Sequence, residues 1–96
     1  MALLSRAEID RELLQLDGWA FENGALRKTF VLADFPEAVD FVQRLVAGAE
    51  EANHHPDIDI RYRRVTLAYV THDEGGVTVK DLDGARQADR VVWLEP

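Results

Sequence analysis

The stretch Asp57-Ile58-Asp59-Ile60-Arg61-Tyr62-Arg63-Arg64-Val65-Thr66-Leu67-Ala68-Tyr69 alternates apolar and polar residues on either side of a charged pair. Ile58, Ile60 and Tyr62, then Val65, Leu67 and Tyr69, fall on one side of an extended chain, as the two-residue period of a strand requires. The pattern predicts two half-buried antiparallel strands joined by a turn at Arg63-Arg64. A two-residue loop there sets Tyr62 opposite Val65, Ile60 opposite Leu67 and Ile58 opposite Tyr69. Continued outward, the same ladder sets His55 opposite His72, with Cβ atoms about 4.5–5.5 Å apart. Both histidines would then lie with Asp57, Asp59 and Arg61 on the face away from the core. The basic run Arg61 to Arg64 is flanked by Asp57 and Asp59 and reads as a solvated strand face.

Upstream, Asp34-Phe35-Pro36-Glu37 predicts a capping box with proline just inside the helix, where its missing N–H costs nothing. Ala38, Phe41, Val42, Leu45, Val46 and Ala49 keep helical spacing, so an amphipathic helix should run to about Asn53 and pack one stripe on the sheet. Before it, Asn23-Gly24 is the pair best able to take the two positive φ angles of a type I′ hairpin. That turn sets Phe21 opposite Leu26 and Trp19 opposite Lys28. Trp19, Phe21, Leu26 and Phe30 then share a face, with Lys28 as the exception. A first short helix is predicted from Ser5-Arg6-Ala7-Glu8, another capping box, with Ile9, Leu13, Leu14 and Leu16 at helical spacing and Gly18 at its end. Downstream, Gly75-Gly76 closes the second strand pair, and Thr78 with Asp81 caps a last helix through about Val92. Gly84 should weaken that helix by roughly 1 kcal/mol relative to alanine.

The order is helix, hairpin, helix, hairpin, helix, with no repeat and no low-complexity segment. The economical solution is an α+β fold in two layers, a four-stranded antiparallel sheet with three helices on one face, in the order α-β-β-α-β-β-α. Residues 1–96 are expected to form one domain with no linker.

Composition narrows function. The chain carries 18 acidic against 11 basic residues, a formal charge of −7, which opposes nonspecific binding to nucleic acid. It has no cysteine, which excludes disulfides, a thiolate nucleophile and a cysteine-based zinc site. Met1-Ala2-Leu3-Leu4 is too short an apolar stretch for a signal segment or a membrane span, so a soluble, cytoplasmic protein is expected. No nucleophile elbow, phosphate-binding glycine loop or dinucleotide fingerprint occurs.

What remains is the set of three histidines, His54, His55 and His72. Imidazoles outside the core stay reachable and titrate near neutrality, which suits proton transfer. Glu50 lies four residues before His54, a helical spacing that can hold a carboxylate against the ring; a solvated acid beside Glu51 is the alternative. A three-histidine zinc site is the competing reading. Adjacent histidines in a strand point apart and the surrounding acids form no clear second layer of support, so no metal is expected.

Glu50-Glu51-Ala52-Asn53-His54-His55-Pro56, followed by Tyr62, Thr71-His72 and Asp81, resembles the signature of the pterin-4a-carbinolamine dehydratases. Weaker similarity at Trp19, Phe30, Phe35, Ala38 and Phe41 extends it over most of the chain. The resemblance implies dehydration of 4a-hydroxytetrahydrobiopterin to quinonoid dihydrobiopterin with no metal and no organic cofactor, in service of an aromatic amino-acid hydroxylase. It implies His54 and His55 as acid and base, with His72 binding substrate or aiding proton transfer. Asp81 would cap the last helix or join the site, Pro56 would splay the two histidines, and Thr71 would orient His72 or serve as a plain strand residue. It also implies a homodimer or homotetramer, in keeping with exposed sheet edges on a small core. Two other readings are a noncatalytic pterin-binding or dimerisation module, as animal members also serve transcription, and a pterin enzyme of molybdopterin metabolism. Asp57-Ile58 stands where animal members carry an aromatic residue near the site, and Gly84 and Ala88 stand where larger apolar residues are common.

Overall fold

The computed structural model of the chain describes residues 2–93. Its elements follow the expected order: α1 (Arg6–Leu13), β1 (Ala20–Glu22), β2 (Ala25–Val31), α2 (Phe35–Ala52), β3 (Asp57–Arg61), β4 (Arg64–Tyr69), a single 3₁₀ turn (His72–Glu74) and α3 (Val79–Val91). Local chemistry explains each start. Ser5 and Glu8 close a reciprocal capping box on α1, and Thr78 and Asp81 close another on α3. Asp34 caps α2 by accepting the Glu37 N–H, with Pro36 in the first turn. Asn23 and Gly24 both take positive φ, 51° and 79°, which gives the twist that the β1–β2 hairpin needs.

The sheet is antiparallel throughout, in the order β1-β2-β4-β3. Phe21 pairs with Leu26 as the Asn23-Gly24 turn dictates. The second hairpin differs from expectation. Its loop is Tyr62-Arg63, not Arg63-Arg64, so Ile60 pairs with Val65 and Ile58 with Leu67. Tyr62 takes the positive φ, 56°. A one-residue shift of the loop moves the pairing by two positions, and a two-position slip leaves every side chain on its original face. Alternation alone is therefore blind to it.

Leu26, Phe30, Val65, Leu67 and Tyr69 of the sheet meet Phe41 and Leu45 of α2, Ile9 of α1, and Leu82, Ala85, Ala88 and Val91 of α3 in one core. Phe41 is completely buried, worth about 1.5–3 kcal/mol for a side chain of that kind. Ile58 and Ile60 point the same way but stay exposed, at 43% and 37%, because β3 is an edge strand. Lys28, the charged exception on the inner face, donates to the Asp17 carbonyl and to Asp89 Oδ1, while Trp19 Nε1–H donates to Asp89 Oδ2. Its ammonium also sits 4.7 Å from the Phe30 ring centroid. Asp89 thus fastens α3 to the first hairpin.

Gly84 has a positive reason to be glycine. A Cβ there would lie 2.4 Å from Tyr69 Cε1, so α3 approaches the β4 aromatic closely only without a side chain. Tyr69 is 3% exposed. Burial, followed by the nearby carboxylates of Asp81 and Asp89, pushes its phenol from 10.0 up to about 12.

Two outcomes follow from this contact. Gly84→Ala should lower the urea midpoint, because a clash costing about 1–3 kcal/mol outweighs the roughly 1 kcal/mol gain in helix propensity; a raised midpoint would show that the close approach is wrong. Since the folded phenol ionises later than an unfolded tyrosine, its share of stability is intact below pH 10 and is lost as pH rises toward about 12. The loss is of order 2–3 kcal/mol. Denaturant titrations across that window should show a steeper decline for the parent chain than for Tyr69→Phe.

Candidate active site

The end of α2 sets the geometry. Ala52 is its last residue, and Asn53 turns left-handed at φ 51°, ψ 43°. The Asn53 N–H reaches the Glu50 carbonyl and the His54 N–H reaches the Ala49 carbonyl at 3.0 Å, the paired bonds of a Schellman motif with asparagine in the place glycine usually takes. His54 is thereby the first residue fixed beyond the helix. Pro56 then holds His55 extended, and successive residues of an extended chain point opposite ways. His54 turns inward, its side chain 11% exposed, and His55 turns outward, at 55%.

Inward, His54 meets Asp81. His54 Nε2 lies 2.6 Å from Asp81 Oδ1. Asp81 is completely buried, and its Oδ2 accepts the Thr78 backbone N–H and the Thr71 hydroxyl, each at 2.8 Å. Thr71 Oγ1 and Thr78 Oγ1 are 2.8 Å apart. The protons can be assigned by counting. Thr71 spends its one hydroxyl proton on Asp81, so the Thr78 hydroxyl donates to Thr71. An ionised carboxylate only accepts, so His54 donates from Nε2, and in the neutral ring Nδ1 is then the nitrogen with the lone pair. The result is an oriented chain: Thr78 to Thr71 to Asp81, with His54 donating from the other side.

Outward, His55 Nε2 lies 2.5 Å from Glu50 Oε2. Glu50 therefore partners His55, not the His54 suggested by the four-residue spacing. The helix ends at Ala52, and the reversal at Asn53 carries His54 away from the helical face on which that spacing holds. The Glu50–His55 pair is exposed on both sides, so it is worth little in stability.

His72 does not face His55. The ladder of β3 with β4 ends at Asp57 and Ala68, and beyond Tyr69 the chain leaves the sheet and enters the 3₁₀ turn that His72 opens. The two-position slip in register already removes the opposition. His72 is exposed, and among the described residues no hydrogen bond or ion pair joins it to the other histidines. It still belongs to the neighbourhood, because Thr71 beside it binds Asp81. Thr71 thus serves the carboxylate and not His72. Asp81 caps α3 and meets a histidine at once, where capping and site membership had stood as alternatives.

Thr78 and Tyr69 were not anticipated as neighbours of the site. The Thr78-to-Asp81 capping box was visible and marked where the carboxylate would sit, but nothing local marks its second oxygen as aimed at His54. The Tyr69 ring lies 6.3 Å from that of His54. Tyr62, the aromatic member of the motif, occupies the hairpin turn at the opposite end of β3 from the histidines. Among the described residues no group of three or more histidine, aspartate or glutamate side chains is arranged to hold a metal ion. Among the described residues no helix is long and apolar enough to cross a membrane.

Such an arrangement suits acid–base chemistry: one imidazole held by a buried carboxylate, a second held by an exposed one, and a third free to meet a ligand. Comparison with known proteins agrees with the motif. The family description pterin 4 alpha carbinolamine dehydratase matches residues 2–91. A relative from Herpetosiphon aurantiacus, provisionally named pterin-4-alpha-carbinolamine dehydratase, is 50% identical over 95% of this chain and 95% of its own. One from Roseiflexus castenholzii, named in the same provisional way, is 52% identical over 95% and 98%. The crystal structure of a transcriptional coactivator/pterin dehydratase from Brucella melitensis has the same fold, with a TM-score of 0.90 at 33% identity over 94% of this chain and 98% of that one. Identity near one half along almost the whole length, with the fold preserved at one third, means that this chain belongs to the pterin-4a-carbinolamine dehydratase family.

Proposed function

We propose that the chain dehydrates 4a-hydroxytetrahydrobiopterin to quinonoid dihydrobiopterin, and so returns the pterin cofactor of an aromatic amino-acid hydroxylase to its cycle. The observation that carries this reading is the His54–Asp81 pair, an imidazole whose tautomer is fixed by a buried carboxylate. The reaction breaks the C4a–O bond. The hydroxyl leaves with an added proton as water, ring-nitrogen lone-pair density forms the new double bond, and a ring N–H proton is lost. One acid and one base complete the balance.

In this scheme His54 Nδ1 is the base, since Nε2 is committed to Asp81 and Nδ1 is bare. His55, held by Glu50 and open to solvent, delivers the proton to the departing hydroxyl. His72 contacts the substrate from the 3₁₀ turn, and Pro56 keeps the two adjacent histidines splayed. Asp81 and Thr71 are positioning residues. Residues 1–96 act as one domain in the cytoplasm, assembled as a homodimer or homotetramer, with exposed edge strand β3 available for pairing.

Purified protein should accelerate dehydration of synthetic 4a-hydroxytetrahydropterin. His54→Ala should lower kcat by about 10²–10⁴-fold, the range of a lost general base. Asp81→Asn should approach the same loss with KM little changed, because its amide would donate to Nε2 and drive the His54 proton to Nδ1. Glu50→Gln should cost less than about tenfold, as fits an exposed pair. Activity of His54→Ala equal to the parent would refute the assignment.

A further inference from the structure

The two open edges of the sheet differ. β1 presents three residues, whereas β3 presents five, every one of them exposed. A two-residue hairpin closes on a hydrogen-bonded pair, here Arg61 with Arg64. Asp57, Asp59 and Arg61 therefore turn their amides to β4, and Ile58 and Ile60 turn theirs to the open side. Such an edge is a template for another strand. The apolar side chains beside it are also bare: Ile58, Ile60, Val46 and Tyr62 are 43%, 37%, 54% and 69% exposed.

Charge selects the strand that fits. The outer face of β3 reads Asp57, Asp59, Arg61, and it is complementary to itself when a second β3 lies antiparallel. Facing residues must share a face, so the pair can be centred only on a residue and its own copy or slip by two positions. Centring it on Ile58 sets Asp57 against Asp59, and centring it on Asp59 or Arg61 sets a charge against itself, all of them destabilising. Centring it on Ile60 sets Asp59 against Arg61 twice. It also sets Ile58 against Tyr62 and Asp57 against Arg63, where the turn begins. Apolar residues then meet apolar residues, and acids meet arginines, at every step.

This register gives Tyr62 a place. In its own chain Tyr62 stands at the far end of β3 from His55, roughly 20 Å away by strand rise. Across the pair it falls beside Ile58, at a groove of about 250 Å³ between α2 and the start of β3. Val42, Val46, Pro56 and Ile58 line that groove together with Glu50 and His55. An aromatic ring reaches a diagonal neighbour as well as the residue it faces, so it can cover Pro56 as well as Ile58.

We infer that two copies of the chain join through β3, centred on Ile60, and that Tyr62 of each closes the groove beside His55 of the other. The site of a single chain is then incomplete. The inference deepens the dehydratase reading and rests on it for the role of His55. Tyr62 is a positioning residue, whose ring shields from water the Glu50–His55 pair that a single chain leaves exposed.

The chain has no cysteine, so introduced ones report the placement. Tyr62→Cys co-expressed with Ile58→Cys should oxidise to a mixed covalent dimer, because hydrogen-bonded partners have Cα atoms about 5.5 Å apart, within disulfide reach. Neither variant should do so alone, since like positions are then separated by about 13 Å along the pair. Tyr62→Ala should lower kcat about tenfold through loss of the positioning contact, and Tyr62→Phe should keep the parent rate. Tyr62→Ala co-expressed with His55→Ala should recover about a quarter of the parent activity, because about half the dimers are mixed and each of those holds one complete site. Absence of the mixed cross-link, or no recovery where the parent turns over, overturns the inference. A mixed cross-link in a protein whose parent shows no turnover removes the dehydratase reading and leaves the placement of Tyr62 standing.

Discussion

Asp81 accepts three hydrogen bonds from three different parts of the chain: Thr78 at the start of α3, Thr71 just beyond β4, and His54 just beyond α2. A carboxylate completely removed from solvent is tolerable only when its lone pairs are met. Loss of any one donor would leave a buried acceptor short, at about 1–3 kcal/mol. The same side chain that starts α3 therefore also fixes how α2 ends relative to the sheet. The Schellman turn at Asn53 is the complementary constraint, since it delivers His54 to that carboxylate. Between them these two local devices place the histidine that the fold holds against a buried carboxylate.

The three histidines are consequently unequal. His54, with its side chain 11% exposed, is held against a buried carboxylate; His55 is exposed beside Glu50; His72 is exposed on a one-turn helix. That inequality is useful for a reaction that must remove a proton at one place and donate one at another, because distinct environments let similar groups take distinct roles. Gly84 and Tyr69 add a second link between fold and site. The close packing of α3 on the Tyr69 ring that pushes the phenol up to about 12 also holds that ring 6.3 Å from the ring of His54.

Much of this was legible because its causes are local. The Asn23-Gly24 hairpin, the caps at Ser5, Asp34 and Thr78, and the inner faces of the strands each depend on a few neighbouring residues. What the sequence left hidden depends on context. The β3–β4 register slipped by two positions without changing any face, so apolar alternation could not report it, and the opposition of His55 and His72 went with it. Glu50 and His54 have helical spacing, yet the left-handed Asn53 ends the helix between them and gives the carboxylate to His55. Gly84 reads in isolation as a weak point in a helix; its use is visible only once Tyr69 is seen against it. The family motif named residues, and the structure supplied their partners: Asp81 with His54, Glu50 with His55, and Thr71 with Asp81.

The central claim is that Asp81 fixes the His54 proton on Nε2 and leaves Nδ1 as the bare nitrogen. Long-range proton–nitrogen correlation spectra of ¹⁵N-histidine-labelled protein, with His54 assigned by comparison with His54→Gln, report that tautomer directly. The account predicts that neutral His54 shows a protonated Nε2 and an unprotonated Nδ1 in the parent, and the reverse in Asp81→Asn. A neutral His54 protonated on Nδ1 in the parent, or an even mixture unaffected by Asp81→Asn, would contradict it.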